Sequence, residues 1–206
     1  MMMGFLSIVS KALIICISMI GLYYSSKLNE KTFKKASFIY YTNLNLVFCL
    51  IYFIFSIFIN DNKLLNDVNG FILLSSIVTI TVYQFVLVPN HQKMGENYEL
   101  FSLTDIAVHY IVPLLVILNW LIFAAKGQFS YYYPFLWVIP FLIYFLAIMI
   151  RAHYSGLIET SKSRYPYYFI DLDEVSVKKA LQNLTVLSLM IVVFGYVLVF
   201  LDLFLK

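Results

Sequence analysis

The chain has 206 residues, 62% of them hydrophobic and 12% charged, and its mean hydropathy is +0.87. A water-soluble domain carries roughly a quarter charged residues, so this balance excludes one. The formal net charge of +3 is small and its cations flank apolar runs, which fits contact with anionic lipid and does not suggest nucleic acid.

A hydrocarbon core of about 30 Å requires about 20 apolar residues at about 1.5 Å rise per residue. Six stretches approach that length, at about 5–25, 36–59, 70–88, 105–125, 133–151 and 177–205. The runs are continuous, without the strict in/out alternation of barrel strands. The expected fold is all-α, one polytopic six-helix transmembrane bundle over residues 1–206 with no separate soluble domain.

Taken in order, the first stretch has no positive charge before its apolar run, is interrupted by Lys11, and has no small-x-small site before Lys27. It reads as a retained span, with Lys11 snorkelling to the nearer interface. Span two opens with Thr42, Asn43 and Asn45, and span three ends with Gln84. Span four opens with Asp105 and His109, span five ends with Arg151 and His153, and span six enters with Gln182 and Asn183. Pro113 and Pro140 fall inside spans, where local kinks are expected. Tyr23, Tyr24, Tyr40, Tyr41, Tyr131, Tyr132, Tyr133, Tyr165, Tyr167 and Tyr168 stand at span ends and read as interfacial belts. Cys16 and Cys49 lie within spans and suggest no disulfide framework.

Connections 1–2, 3–4 and 5–6 hold ten cations, among them Lys31, Lys93 and Lys162, against four on the other side: Lys11, Lys63, Lys126 and Lys206. The excess places these odd connections in the cytoplasm and both termini outside. The polar residues of spans two to six gather at that same end. Polar groups within a span are functional candidates by default, because lipid gives them no hydrogen bonds.

Thr42 and His109 enter their spans to similar depths, and Asp105 precedes His109 by four residues, on the same helix face. The three have the chemical types of nucleophile, base and orienter. Each also has a structural reading. A membrane threonine commonly bonds its own i−4 carbonyl, and Asp105 could cap span four in competition with Thr104 or Ser102. His109 and Asn183 could join helices through hydrogen bonds, and Arg151 could anchor at the interface. His91, His109 and His153 make no His-x-x-x-His pair, so no metal site is expected. No phosphate loop, nucleophile elbow or Cys-x-x-Cys occurs, and no cofactor is implied.

Five motifs in order carry a resemblance: Tyr41-Thr42-Asn43-x-Asn45; Val82-Tyr83-Gln84 leading to Pro89; His109-Tyr110-Ile111-Val112-Pro113; Asn119-Trp120-Leu121; and Tyr165-Pro166-Tyr167-Tyr168-Phe169-Ile170-Asp171. From about residue 36 onward the chain resembles the bacterial branch of the androgen-induced gene family, which includes the androgen-dependent regulator of tissue-factor pathway inhibitor. The resemblance implies an integral protein of a bacterial plasma membrane. It also implies a threonine hydrolase of fatty acid esters of hydroxy fatty acids, with Thr42 as nucleophile and His109 as its histidine. Bacterial relatives commonly carry His and Asp where Gln84 and Asn119 stand here.

On this reading Asn43, Asn45 and Asn183 are candidate oxyanion donors, and Asp105 and Gln84 support the site. Arg151 would hold the free acid end of a lipid substrate, and the apolar bundle would take its acyl chains. A non-catalytic membrane protein that binds a lipid or small ligand fits the same composition.

Overall fold

A computed structural model describes residues 2–28, 34–59, 63–93, 100–159 and 163–206. Six helices are long and apolar enough to cross a membrane: α1 Met2–Ser25, α2 Tyr41–Phe58, α3 Lys63–Lys93, α4 Leu103–Phe123, α5 Tyr133–Tyr154 and α6 Val177–Phe204. No strand occurs among the described residues. The chain is an all-α integral membrane protein. Its outer surface carries large apolar side chains such as Phe58, Leu121, Leu189 and Phe200, as a lipid-facing surface requires.

The helix bounds differ most from hydropathy at α2 and α3. Residues 36–40 do not belong to α2, because Lys35–Ile39 form a separate 3-10 turn. Helix α3 begins at Lys63, seven residues before the apolar run, and carries Asn66, Asp67 and Asn69 in its early turns. Protein partners make those polar residues tolerable: the Tyr133 hydroxyl donates to Asp67, and Trp137 Nε1 donates to the Asp67 carbonyl at 3.2 Å. Tyr133 is therefore a buried core residue, and so is Tyr41, where belt positions were expected.

Helix α3 is the most buried of the six and contacts α2, α4, α5 and α6. Its small buried residues, Gly70, Ser75, Ser76 and Thr79, permit that closeness, since membrane helices associate by packing rather than by escape from water. A Cβ on Gly70 would lie 2.0 Å from the Trp137 ring, so only glycine fits there. One apolar core joins α1, α2 and α4 around Ile14, Leu46, Phe53 and Val112. A second joins α3, α5 and α6 with the α5–α6 connection, around Trp137, Phe141 and Ile170.

The ends of the bundle are tied differently. At one end Lys11 Nζ donates to the Ser56 carbonyl at 2.7 Å, meeting an acceptor near the α2 C-terminus. There too, Asp202 accepts from the Phe129 N–H at 2.8 Å. At the other end the α5–α6 connection folds back over the bundle. It is held by Ser163 Oγ on Asp171 at 2.5 Å, the Arg164–Asp173 pair, and Asn183 Nδ2 on the Phe169 carbonyl at 2.7 Å. The hydrogen bond from Arg164 holds the exposed Asp173 carboxyl below its ordinary range. Lys31 and Lys162, which contribute to the cation asymmetry, lie outside the described residues.

Candidate active site

The site forms where two widened turns face each other. Tyr83–Leu87 in α3 and Ala107–Ile111 in α4 are π-helical, closed by Val88 N–H to the Tyr83 carbonyl and by Val112 N–H to the Ala107 carbonyl. Each lies just ahead of a proline, Pro89 or Pro113. A proline lacks the N–H that would bond the residue four back and its ring crowds that carbonyl, so widening the preceding turn relieves both defects. Pro113 is thus accommodated by a π turn, while Pro140 lies within the unbroken helix α5.

The π turn of α4 carries His109. Its Nε2 stands 3.2 Å from Thr42 Oγ1, in the first turn of α2. Its Nδ1 stands 3.0 Å from the Asp105 carbonyl oxygen and 3.0 Å from Asp105 Oδ1. Both of those oxygens accept, so Nδ1 carries the proton in the neutral ring and Nε2 is left to accept from the Thr42 hydroxyl. Thr42 does not bond back to its own helix in this arrangement.

Asp105 is held from three sides. Ser102 is the α4 cap, its Oγ accepting the Asp105 N–H at 3.2 Å, so the Asp105 carboxylate is not used as the cap. The carboxylate accepts the Phe101 N–H at 2.9 Å and the Tyr83 hydroxyl. Phe101 adopts φ +59, a left-handed conformation that costs a non-glycine residue ~1–2 kcal/mol. Tyr83 also stacks on the His109 ring, with centroids 3.8 Å apart and planes at 16°. It contacts His109 and Asp105 together, a position not assigned to it from the sequence.

Beside Thr42 lies a small cavity of about 30 Å³, lined by Tyr41, Val78, Thr79, Val82, Phe141, Tyr144, Phe145 and Leu187, with Tyr167 and Phe169 from the connection. Its walls are mostly aromatic and aliphatic, and at this size it holds about a water's volume. Tyr167 reads from the sequence as a belt residue, yet it reaches the bundle interior. Its hydroxyl oxygen accepts the Tyr41 N–H at 2.9 Å and neighbours the hydroxyls of Tyr144 and Thr42. Burial pushes its phenol up to about 12. The α2 start has no side-chain cap of its own, so Tyr167 serves as one from 126 residues away.

The remaining sequence candidates do not all converge. Gln84 accepts from the Tyr110 hydroxyl at 2.5 Å, and Tyr110 packs edge-on against Tyr83, which places Gln84 behind the pair. Asn43 Nδ2 donates to the Ser37 carbonyl at 2.7 Å and fixes the turn before α2. Asn45 is fully buried between α2 and α3, where its Oδ1 accepts from Ser75 at 2.6 Å and Ser75 meets the Tyr41 hydroxyl at 2.7 Å. Asn183 and Arg151 tie down the α5–α6 connection. Arg151 Nη1 donates to the Arg164 carbonyl at 2.7 Å, and Arg151 does not line the cavity. The connection carries a carbonyl to the guanidinium, which gives Arg151 a structural partner. Asn119, at the opposite end, donates to Ser10 Oγ at 2.9 Å. Among the described residues no three His, Cys, Asp or Glu side chains come together as metal ligands. The chain finds no match among family models, curated proteins or solved structures.

Proposed function

We propose that the protein is a membrane-embedded lipid ester hydrolase, related to the androgen-induced gene family, with Thr42 as nucleophile and His109 as general base. One observation carries this reading: the Thr42 Oγ1 to His109 Nε2 approach of 3.2 Å, with Nδ1 of the same ring fixed by Asp105. A threonine hydroxyl is a poor nucleophile until a base takes its proton, and imidazole is suited to that at neutral pH.

In the first step Thr42 Oγ1 bonds to the acyl carbon while its proton passes to His109 Nε2, and Asp105 stabilises the imidazolium. The adduct collapses, the leaving alkoxide takes the proton from Nε2, and an acyl-threonine remains. Water, deprotonated by His109, then releases the acid and restores the hydroxyl. Thr42 lies in the first turn of the 18-residue α2, whose positive N-terminal end favours the charge that develops there. The aromatic and aliphatic lining beside Thr42 matches the chemistry of an acyl chain, for which the helices would have to part, and fatty acid esters of hydroxy fatty acids are the substrate class we propose.

The cation excess supports a cytoplasmic position for this end of the bundle, and hence for the site, and the family resemblance supports a bacterial plasma membrane as its location. A long-chain fluorophosphonate tests the reading. Wild type is expected to be labelled, and Thr42→Ala and His109→Ala are not. Equal labelling of wild type and Thr42→Ala would remove the nucleophile and leave a lipid-binding protein with an apolar cavity.

A further inference from the structure

We propose that the Tyr167 hydroxyl donates the hydrogen bond that stabilises the oxyanion formed when Thr42 attacks an ester. This rests on the ester-hydrolase reading and adds to it a residue from the α5–α6 connection. The three asparagines expected for this task are placed elsewhere: Asn43 and Asn183 donate to the Ser37 and Phe169 carbonyls, and Asn45 does not line the cavity. Tyr167 does line it, together with Thr42.

Hydrogen-bond direction then limits what Tyr167 can offer. Its oxygen already accepts the Tyr41 N–H at 2.9 Å, and the neighbouring Tyr144 hydroxyl donates to the Ile39 carbonyl at 2.8 Å. The phenol therefore keeps one proton to donate, with the Tyr144 oxygen and Thr42 Oγ1 as its two neighbouring acceptors, while the Thr42 proton goes to His109. Once Thr42 Oγ1 bonds to the acyl carbon, the carbonyl electron pair moves onto an oxygen held by that same carbon, next to the nucleophile. A donor beside the nucleophile is then beside the oxyanion. Tyr167 keeps its proton throughout and supplies only the hydrogen bond, while the proton taken by His109 goes to the leaving alkoxide. The donor is held by the helix start it caps and by aromatic contacts with Tyr40 and Phe169, so it needs little reorganisation as charge appears.

Because Tyr167 also caps α2 as an acceptor, the test separates donor from cap. In the full-length protein in detergent, hydrolysis of a branched fatty acid ester is compared for wild type, Thr42→Ala, Tyr167→Phe, and a protein with 3,5-difluorotyrosine at position 167. Fluorination makes the phenol a better donor and a poorer acceptor. Tyr167→Phe is expected to lower kcat ~100–1000-fold with KM changed only a few-fold, whereas the fluorinated protein keeps or exceeds wild-type kcat. Wild-type kcat in Tyr167→Phe, or a fluorinated protein as impaired as Tyr167→Phe, overturns the donor role. If Thr42→Ala is inactive in the same experiment, the hydrolase reading survives that result. Undiminished hydrolysis by Thr42→Ala overturns both.

Discussion

Thr42 and His109 are 67 residues apart in the chain, and their Oγ1 and Nε2 atoms are 3.2 Å apart across the α2–α4 interface. The contact depends on the π turn ahead of Pro113, which presents the imidazole, and on Asp105, which fixes its tautomer. Asp105 and Tyr83 thus hold the His109 ring in place, and Tyr83 also lines the cavity beside Thr42.

Asp105→Asn is expected to keep the fold and lose the rate. An asparagine amide preserves the shape but can donate toward Nδ1, which turns the ring over to the tautomer with its proton on Nε2. Loss of the correct tautomer in such a constellation costs up to ~10⁴-fold in kcat, and a loss of at least ~100-fold is expected here. Steady-state hydrolysis measured beside a thermal unfolding curve checks it: unchanged turnover in a folded variant would refute the role of the carboxylate and leave the Asp105 backbone carbonyl, also 3.0 Å from Nδ1, to hold the tautomer.

Arg151→Gln should act on stability and not on head-group choice. Losing the guanidinium leaves the Arg164 carbonyl without its donor, at a cost of ~1–3 kcal/mol, and loosens the connection that carries Tyr167. The expected result is a lower melting temperature, with parallel losses on an acidic ester and on its methyl ester. Selective loss on the acidic substrate would return Arg151 to substrate binding.

Gly70→Ala is expected to destabilise the bundle. The new methyl would overlap the Trp137 ring, which is buried against Tyr133 and Phe129 and held by its indole N–H. Overpacking of this kind costs ~1–3 kcal/mol. Denaturation in detergent measures it, and wild-type stability would mean that Trp137 moves freely.

Orientation follows from the cation split and has its own test. Reporter fusions after Lys63 and after Gly156 should report opposite sides, the first external and the second cytoplasmic. The reverse pattern would put the candidate site on the outer face.

Asp105 illustrates how far local sequence reaches. Four-residue spacing brings its carboxylate to His109 on one helix, so that half of the site is legible from a list of residues. The prolines at 89 and 113 are also visible, but the widened turns they produce depend on neighbouring helices accepting the displaced groups.

The six apolar runs, their helical character and the gathering of polar side chains at one end follow from the sequence alone, because lipid penalises unpaired polar groups wherever they occur along a span. Partner choice is not encoded so locally. Asn43, Asn183 and Arg151 have the right types and depth for a catalytic cluster, yet each is satisfied by a backbone carbonyl that only the folded chain brings near. Tyr83 and Tyr167 look like ordinary aromatic residues near span ends. Stacking on His109 and capping α2 are relations between distant segments, so the tertiary structure alone could place them at Thr42.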